Sequence, residues 1–114
     1  MAELMIIIRS KPTDSFRVVE ALRLSAAMLG MDQPPSIVFL DRGIECLREG
    51  AFDDPVIHDY LRAAADLAGI HVLSESLEEH GIMCEELDQS LGAAPLDLEG
   101  LAGMMSEHDS VVAF

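Results

Sequence analysis

The two cysteines, Cys46 and Cys84, are the side chains of this 114-residue chain best suited to covalent chemistry. A thiol can act as a nucleophile, but its reactive form is the thiolate, which nearby cations and helix amino termini favour. Two cysteines far apart in a chain without a recognisable signal sequence are better treated as free thiols than as a disulfide. The elements that carry them therefore decide whether either one can react.

Cys46 follows a short apolar run, Ile37-Val38-Phe39-Leu40, and the turn Asp41-Arg42-Gly43. The run predicts a buried strand, and the spacing from Ile44 to Leu47 predicts a helical turn directly after it. Reactive groups collect at the carboxyl ends of strands in open α/β sheets. Arg42, four residues before the thiol, would favour its thiolate, but a cysteine in such an apolar segment is also commonly a plain core residue.

Cys84 stands at the predicted start of a short acidic helix, followed at once by Glu85 and Glu86. The helix start would favour a thiolate and the two carboxylates oppose it. We expect Cys84 to be the more exposed of the two thiols.

The elements around these thiols alternate between strand and helix. The pattern predicts strands at residues 4–8, 37–40, 70–74, 94–97 and 111–114. Helices are predicted near 14–29, 54–68, 75–80, 84–87 and 98–107, with Asp54 capping the second and Pro55 in its first turn. The expected buried face of the first helix is Phe16, Val19, Leu22, Ala26 and Leu29. Residues 1–114 therefore predict a single α/β domain with a mainly parallel sheet of about five strands, its 94–97 strand at an edge.

Charge is distributed unevenly over a chain of formal net charge −14. Residues 1–62 contain all seven basic residues and ten acidic ones, whereas residues 63–114 contain eleven acidic residues and no Lys or Arg. The acidic second half should repel nucleic acid and anionic membranes and attract a basic partner. Alternatively, its charge only keeps the protein soluble. No apolar run approaches the roughly 20 residues of a membrane span, so we expect a cytoplasmic protein.

Cofactor signals are missing from the sequence. His58, His71, His80 and His108 do not have the spacing of a metal site, and no glycine-rich loop accompanies a helix start. We expect neither a metal nor an organic cofactor.

The segment "IVFLDRGIECL", preceded by an apolar first strand and a long Ala- and Leu-rich helix, resembles the DsrE/DsrF sulfur-relay family. The segments "GIHVLSESLEEHGIMCEELD" and "LEGLAGMMSEHDSVVAF" are most similar to its DsrF/TusC branch. The likeness extends over nearly the whole chain. Asp41 and Gly43 fall in the acidic-glycine turn after the second strand of this pattern.

The resemblance implies a flavodoxin-like, three-layer subunit that assembles into trimers or hexamers. Its partners would be related DsrE/DsrF/DsrH-like chains or copies of itself, together with proteins that donate and accept persulfide sulfur. The acceptor cysteine of the active branch stands at the end of the third strand, where this chain has Ser74. A serine hydroxyl cannot carry a sulfane sulfur, which fits a subunit that serves mainly to build the complex.

Three functions remain open at this point, in order of preference. The first is an assembly subunit of a sulfur-relay complex, and the second is a self-contained persulfide sulfurtransferase that uses Cys84 or Cys46. The third is a non-catalytic acidic binding module with a flavodoxin-like fold. Because the apolar fraction is high for so small a domain, we also expect some of Val56, Tyr60, Met104 and Met105 to be buried between subunits.

Overall fold

The computed structural model describes residues 3–114, which form a five-stranded parallel sheet with helices on both faces. The strands are β1 (Leu4–Ile8), β2 (Ser36–Phe39), β3 (Ile70–Leu73), β4 (Ala94–Leu96) and β5 (Ser110–Ala113). The α-helices are α1 (Ser15–Gly30), α2 (Pro55–Leu67), α3 (Ser74–Glu79) and α4 (Leu98–Ser106). Short 3-10 helices occupy Asp41–Leu47, Cys84–Glu86 and Gln89–Leu91. The prediction of an α/β fold with five strands is confirmed.

The strand order is β4-β3-β2-β1-β5, and every neighbouring pair is parallel. The chain first steps outward from β1 to β4 and then returns across the sheet to place β5 on the other side of β1. Because the crossovers are right-handed, a connecting helix lies on one face when the chain moves across the sheet in one direction and on the other face when it moves back. This explains why α1 and α2 share one face while α4 packs on the other.

Alternating side chains of the strands supply both layers of the core. Ile6 and Ile8 of β1 pack toward α1 and α2, whereas Met5 and Ile7 pack toward α4, where they meet Leu101. A strand buried on both faces reads as an unbroken apolar run, as β1 does. The core on the α1 and α2 side also includes Ile44, Cys46 and Leu47 of the first 3-10 helix and Leu91 of the third, so these two irregular segments belong to the core.

The buried face of α1 agrees with the predicted one at Leu22 and differs from it elsewhere. The residues that pack on the sheet are Val18, Ala21, Leu22 and Ser25, and Phe16 is 77% exposed. Apolar residues occur almost all round this helix, so its helical period fits more than one face. Small side chains at positions 21 and 25 let the helix approach the sheet closely, and that contact selects the face.

The amino termini of α2 and α4 are capped by aspartate side chains, as local capping signals in the sequence indicate. Asp54 caps α2 by accepting a hydrogen bond from the Val56 backbone N–H at 2.9 Å, and Pro55 stands in its first turn as predicted. Asp97 caps α4 by accepting from the Gly100 N–H at 2.7 Å. Asp14 precedes α1 in the capping position but its side chain makes no capping hydrogen bond. No helix of residues 3–114 is long and apolar enough to cross a membrane.

Candidate functional site

The carboxyl ends of the parallel strands meet at one edge of the sheet, and three sequence-predicted site residues lie there: Asp41, Gly43 and Ser74. Asp41 follows β2 in the left-handed region with φ of 51°, which is uncommon for a residue other than glycine. Its backbone N–H donates to the Ser76 hydroxyl at 2.8 Å. Its carboxylate lies 3.4 Å from the Nε atom of Arg9, which follows β1. These contacts join the ends of β1, β2 and α3.

Gly43 allows the 3-10 helix to pass against the end of β1. A Cβ atom at this position would overlap the carbonyl oxygen of Ile8, a backbone atom that cannot rotate away. Glycine is therefore required for the close approach of the two backbones. Asp41 and Gly43 thus have clear structural roles at this edge.

Ser74 is half-buried at the carboxyl end of β3, where it is also the first residue of α3. It was predicted to close the strand and instead starts the helix, a difference of one residue at the boundary. Its hydroxyl stands at the strand end where the sequence resemblance places an acceptor thiol.

Cys46 lies inside the protein, in the 3-10 helix after β2, with 1% of its surface exposed. Its thiol donates a hydrogen bond to the Ser10 carbonyl at 3.4 Å. Burial, reinforced by the neighbouring Glu45 carboxylate, raises the pKa of the Cys46 thiol to about 12. Arg42 is exposed and does not offset this, so Cys46 is held as a neutral thiol.

Cys84 is exposed at the start of its 3-10 helix, in a segment that crosses from α3 to β4. It lines a groove of about 320 Å³ together with Ser74, Leu77, Glu78, Ile82, Met83 and Glu85. A smaller recess of about 140 Å³ lies on its other side, toward Pro95 of β4. The fold therefore brings the exposed thiol and the strand-end serine to the same surface groove, although nine residues lie between them in the chain.

The segment that carries Cys84 is anchored at its far end. Backbone N–H of Asp88 donates to the Leu47 carbonyl at 2.7 Å, and the Gln89 side-chain amide donates to the carbonyls of Cys84 and Leu87, each at 2.9 Å. Asp88 accepts hydrogen bonds from the Ser90 hydroxyl at 2.6 Å and the Ser90 N–H at 3.0 Å.

These bonds from Ser90, aided by His58, lower the pKa of the Asp88 carboxyl. The His58 Nε2 atom lies 3.4 Å from the Asp88 carboxylate, which ties the segment to α2. Sequence reasoning missed both Asp88 and Gln89. The spacing Asp-x-Ser, typical of an Asx turn, was the available signal for the first of them.

The four histidines belong to four different segments: His58 to α2, His71 to β3, and His80 and His108 to the residues after α3 and α4. His108 joins α4 to β2, with Nδ1 2.6 Å from the Met104 carbonyl and Nε2 2.8 Å from the Ser36 hydroxyl. His71 is half-buried on β3, and burial lowers its pKa. Among residues 3–114 no three His, Cys, Asp or Glu side chains are grouped so that they could hold a metal ion.

A parallel sheet with helices on both faces and candidate residues at the carboxyl ends of its strands defines a protein of the flavodoxin-like, three-layer class, although its strand order, β4-β3-β2-β1-β5, differs from the 2-1-3-4-5 order of flavodoxin itself. Two solved structures have the same fold as this chain, and each superposition covers both chains completely. The YchN protein from E. coli superposes with a TM-score of 0.77 at 18% identity, and each chain is covered to 100%. MTH1491 from Methanobacterium thermoautotrophicum, described as a protein of unknown function, superposes with a TM-score of 0.71 at 13% identity and the same coverage.

A family model for the DsrE/DsrF-like family matches residues 2–114, and this chain belongs to that family. The predicted resemblance is thereby confirmed at the level of the family. No curated protein gives a significant sequence match.

Proposed function

We propose that this chain is a subunit of a sulfur-relay complex and that Cys84 is the thiol through which it handles persulfide sulfur. The observation that carries the proposal is the shared groove: the exposed Cys84 and the strand-end Ser74 line the same surface. Membership of the DsrE/DsrF-like family supports the relay role, since its members generally work in complexes with related subunits. We further propose the cytoplasm as its compartment, which is compatible with two free cysteines.

The transfer step at Cys84 needs no external oxidant or reductant. The Cys84 thiolate attacks the terminal sulfur of a donor persulfide, a new S–S bond forms at Cys84, and the donor S–S bond breaks. The donor leaves as a thiolate, and the transferred sulfur keeps its proton or loses it to solvent. A later acceptor thiolate can remove the sulfur by the same exchange.

Exposure and position favour Cys84 over Cys46 for this step. Cys46 is enclosed by the core, and a pKa of about 12 leaves almost none of its thiol ionised near neutral pH. An attacking sulfur must also reach a donor protein, and only the Cys84 side of the chain offers a groove with an exposed thiol among the described residues.

Intact-mass measurement after incubation with a persulfide donor tests the proposal. The wild-type chain and a Cys46→Ser variant should each gain one sulfur atom, and a Cys84→Ser variant should gain none. A Ser74→Cys variant should gain a second sulfur, because it places a thiol at the strand end in the same groove. Failure of the wild-type chain to take up sulfur in both its free and its assembled form would reject Cys84 as a carrier.

A second function, an assembly subunit without its own sulfur chemistry, is favoured by the serine at the strand end. Exposed apolar side chains support assembly, since Val56 of α2 is 56% exposed and Met105 of α4 is 40% exposed. We propose related subunits or copies of this chain as the partners that cover them, in a trimer or hexamer. In that case mass measurement shows no added sulfur, while light scattering shows a complex larger than one chain.

A further inference from the structure

The groove beside Cys84 has an apolar floor and an exposed apolar rim. Leu77 of α3 and Ile82 form the floor and are 4% and 8% exposed, whereas Met83 at the rim is 64% exposed. A largely solvent-exposed methionine adds nothing to the core of this chain. Methionine is flexible and polarizable, and it is used widely on surfaces that pack against partner side chains.

Two carboxylates accompany this apolar surface. Glu78 and Glu85 line the groove, and Glu78 stands in the last turn of α3. The carboxyl end of a helix carries partial negative charge, so cations are favoured there and carboxylates are not. No Lys or Arg occurs in residues 63–114 to neutralise these groups from their own part of the chain. None of the ion pairs formed within residues 3–114 involves Glu78 or Glu85, so the groove combines apolar surface with carboxylates that are not paired with a cation of the described residues.

We propose that this groove docks a segment of the sulfur-donor protein that bears Lys or Arg beside an apolar side chain. The inference rests on the proposed function and names the partner chemistry of the same site. The apolar side chain packs on Met83 and the floor, and the cation lies between Glu78 and Glu85. Docking in this way brings the donor persulfide to the Cys84 thiol.

The docking surface is held in shape before any partner arrives. The Glu86 carboxylate accepts from the Met83 N–H at 3.3 Å, and the Glu86 N–H donates back to the Met83 carbonyl at 2.9 Å. The Gln89 amide fixes the Cys84 carbonyl from the other side of the turn. A preformed surface avoids the cost of ordering a loop on binding.

Two synthetic peptides test the inference, each with one cysteine activated as a mixed disulfide with thionitrobenzoate. One has Lys and Leu beside the cysteine, and the other has Glu in place of Lys. Attack by Cys84 forms a disulfide with the peptide and releases thionitrobenzoate, whose absorbance gives the rate. At low salt the Lys peptide should react roughly tenfold faster than the Glu peptide, and the difference should shrink in high salt.

Matched variants separate the groove from the overall charge of the protein. Glu78→Gln and Glu85→Gln should each lower the preference for the Lys peptide by about two- to threefold. Glu107→Gln removes one exposed carboxylate after α4, at the opposite edge of the sheet, and should leave the preference unchanged. Met83→Ala should slow both Leu-containing peptides. Cys84→Ser should release no thionitrobenzoate.

Equal rates for the two peptides, or equal effects of Glu78→Gln and Glu107→Gln, would overturn the docking site. The persulfide mass measurement on the same variants keeps this failure distinct from failure of the proposed function. Sulfur uptake from a small donor without peptide preference would leave Cys84 as a carrier and remove the docking groove. Peptide preference without sulfur uptake would retain the groove and remove the carrier.

Discussion

The buried thiol of Cys46 makes the stability of this protein depend on alkaline pH in a calculable way. Its pKa rises from the ordinary 9.0 to about 12 on folding, because burial penalises the thiolate. Below pH 9 the thiol is neutral in both the folded and the unfolded chain. Above pH 9 it ionises in the unfolded chain only, so the native state binds more protons and loses stability as the pH rises.

The size of this effect follows from the pKa difference. Each pKa unit corresponds to about 1.36 kcal/mol, so a difference of three units amounts to about 4 kcal/mol by pH 12. About half of that loss falls between pH 9 and pH 10.5, where unfolding can be measured conveniently. A loss of about 2 kcal/mol is a sizeable part of the 5 to 15 kcal/mol typical of a domain.

Urea unfolding under reducing conditions at several pH values measures this loss of unfolding free energy. Other groups also titrate in this range, so the decisive quantity is the difference between the wild-type protein and a Cys46→Ala variant. The variant should lose less free energy of unfolding than the wild type between pH 9 and 10.5, by about 2 kcal/mol. Cys84→Ser, at the exposed thiol, serves as the control and should follow the wild-type pH dependence. Parallel curves for wild type and Cys46→Ala would refute the buried-thiol reasoning.

Three further predictions concern the scaffold around the site. Gly43→Ala forces a methyl group against the backbone at the end of β1 and should lower the free energy of unfolding by about 3 kcal/mol, as measured by urea denaturation; a change below about 1 kcal/mol would contradict the close approach. Asp88→Asn should destabilise the protein at pH 7 but not at a pH well below the lowered pKa of Asp88. A carboxyl group with a lowered folded-state pKa stabilises the protein above its unfolded pKa of 3.8, and this stabilisation is lost as the pH falls. Thermal unfolding at both pH values measures the effect of the substitution, and an equal loss of stability at both would contradict the prediction. His108→Ala removes the link from α4 to Ser36 and should cost about 1 to 2 kcal/mol in the same urea assay, with an unchanged midpoint as the opposing result.

Local sequence signals were sufficient to predict most of the helices and strands. The unbroken apolar run of β1, the cap and proline of α2, and the proline in the edge strand β4 each predict their element because the cause is local. The observed boundaries of β2, β3, β4 and β5 differ from the predicted ones by one residue. The alternation of strand and helix was enough to predict the parallel sheet, since parallel strands need a crossover between them.

The face of α1 and the surroundings of the two thiols depended on packing between distant parts of the chain. Helical period alone fits several faces of an Ala- and Leu-rich helix, and contact with the sheet selected Val18, Ala21, Leu22 and Ser25. From the sequence pattern alone, Cys46 could be either a core residue or a reactive thiol. In the structure it belongs to the core cluster that contains residues of β1 and α1, and its thiol donates to the Ser10 carbonyl.

The groove that joins Ser74 to Cys84 is likewise a product of tertiary structure. By itself the sequence determined the strand end, the acidic short helix and the absence of Lys and Arg after residue 62. Anchoring of Asp88 to the 3-10 helix after β2 then turns the segment back, so that Cys84 lies over the end of α3. Periodicity and composition are properties of neighbouring residues, whereas exposure and shared grooves are set by contacts between residues far apart in the chain.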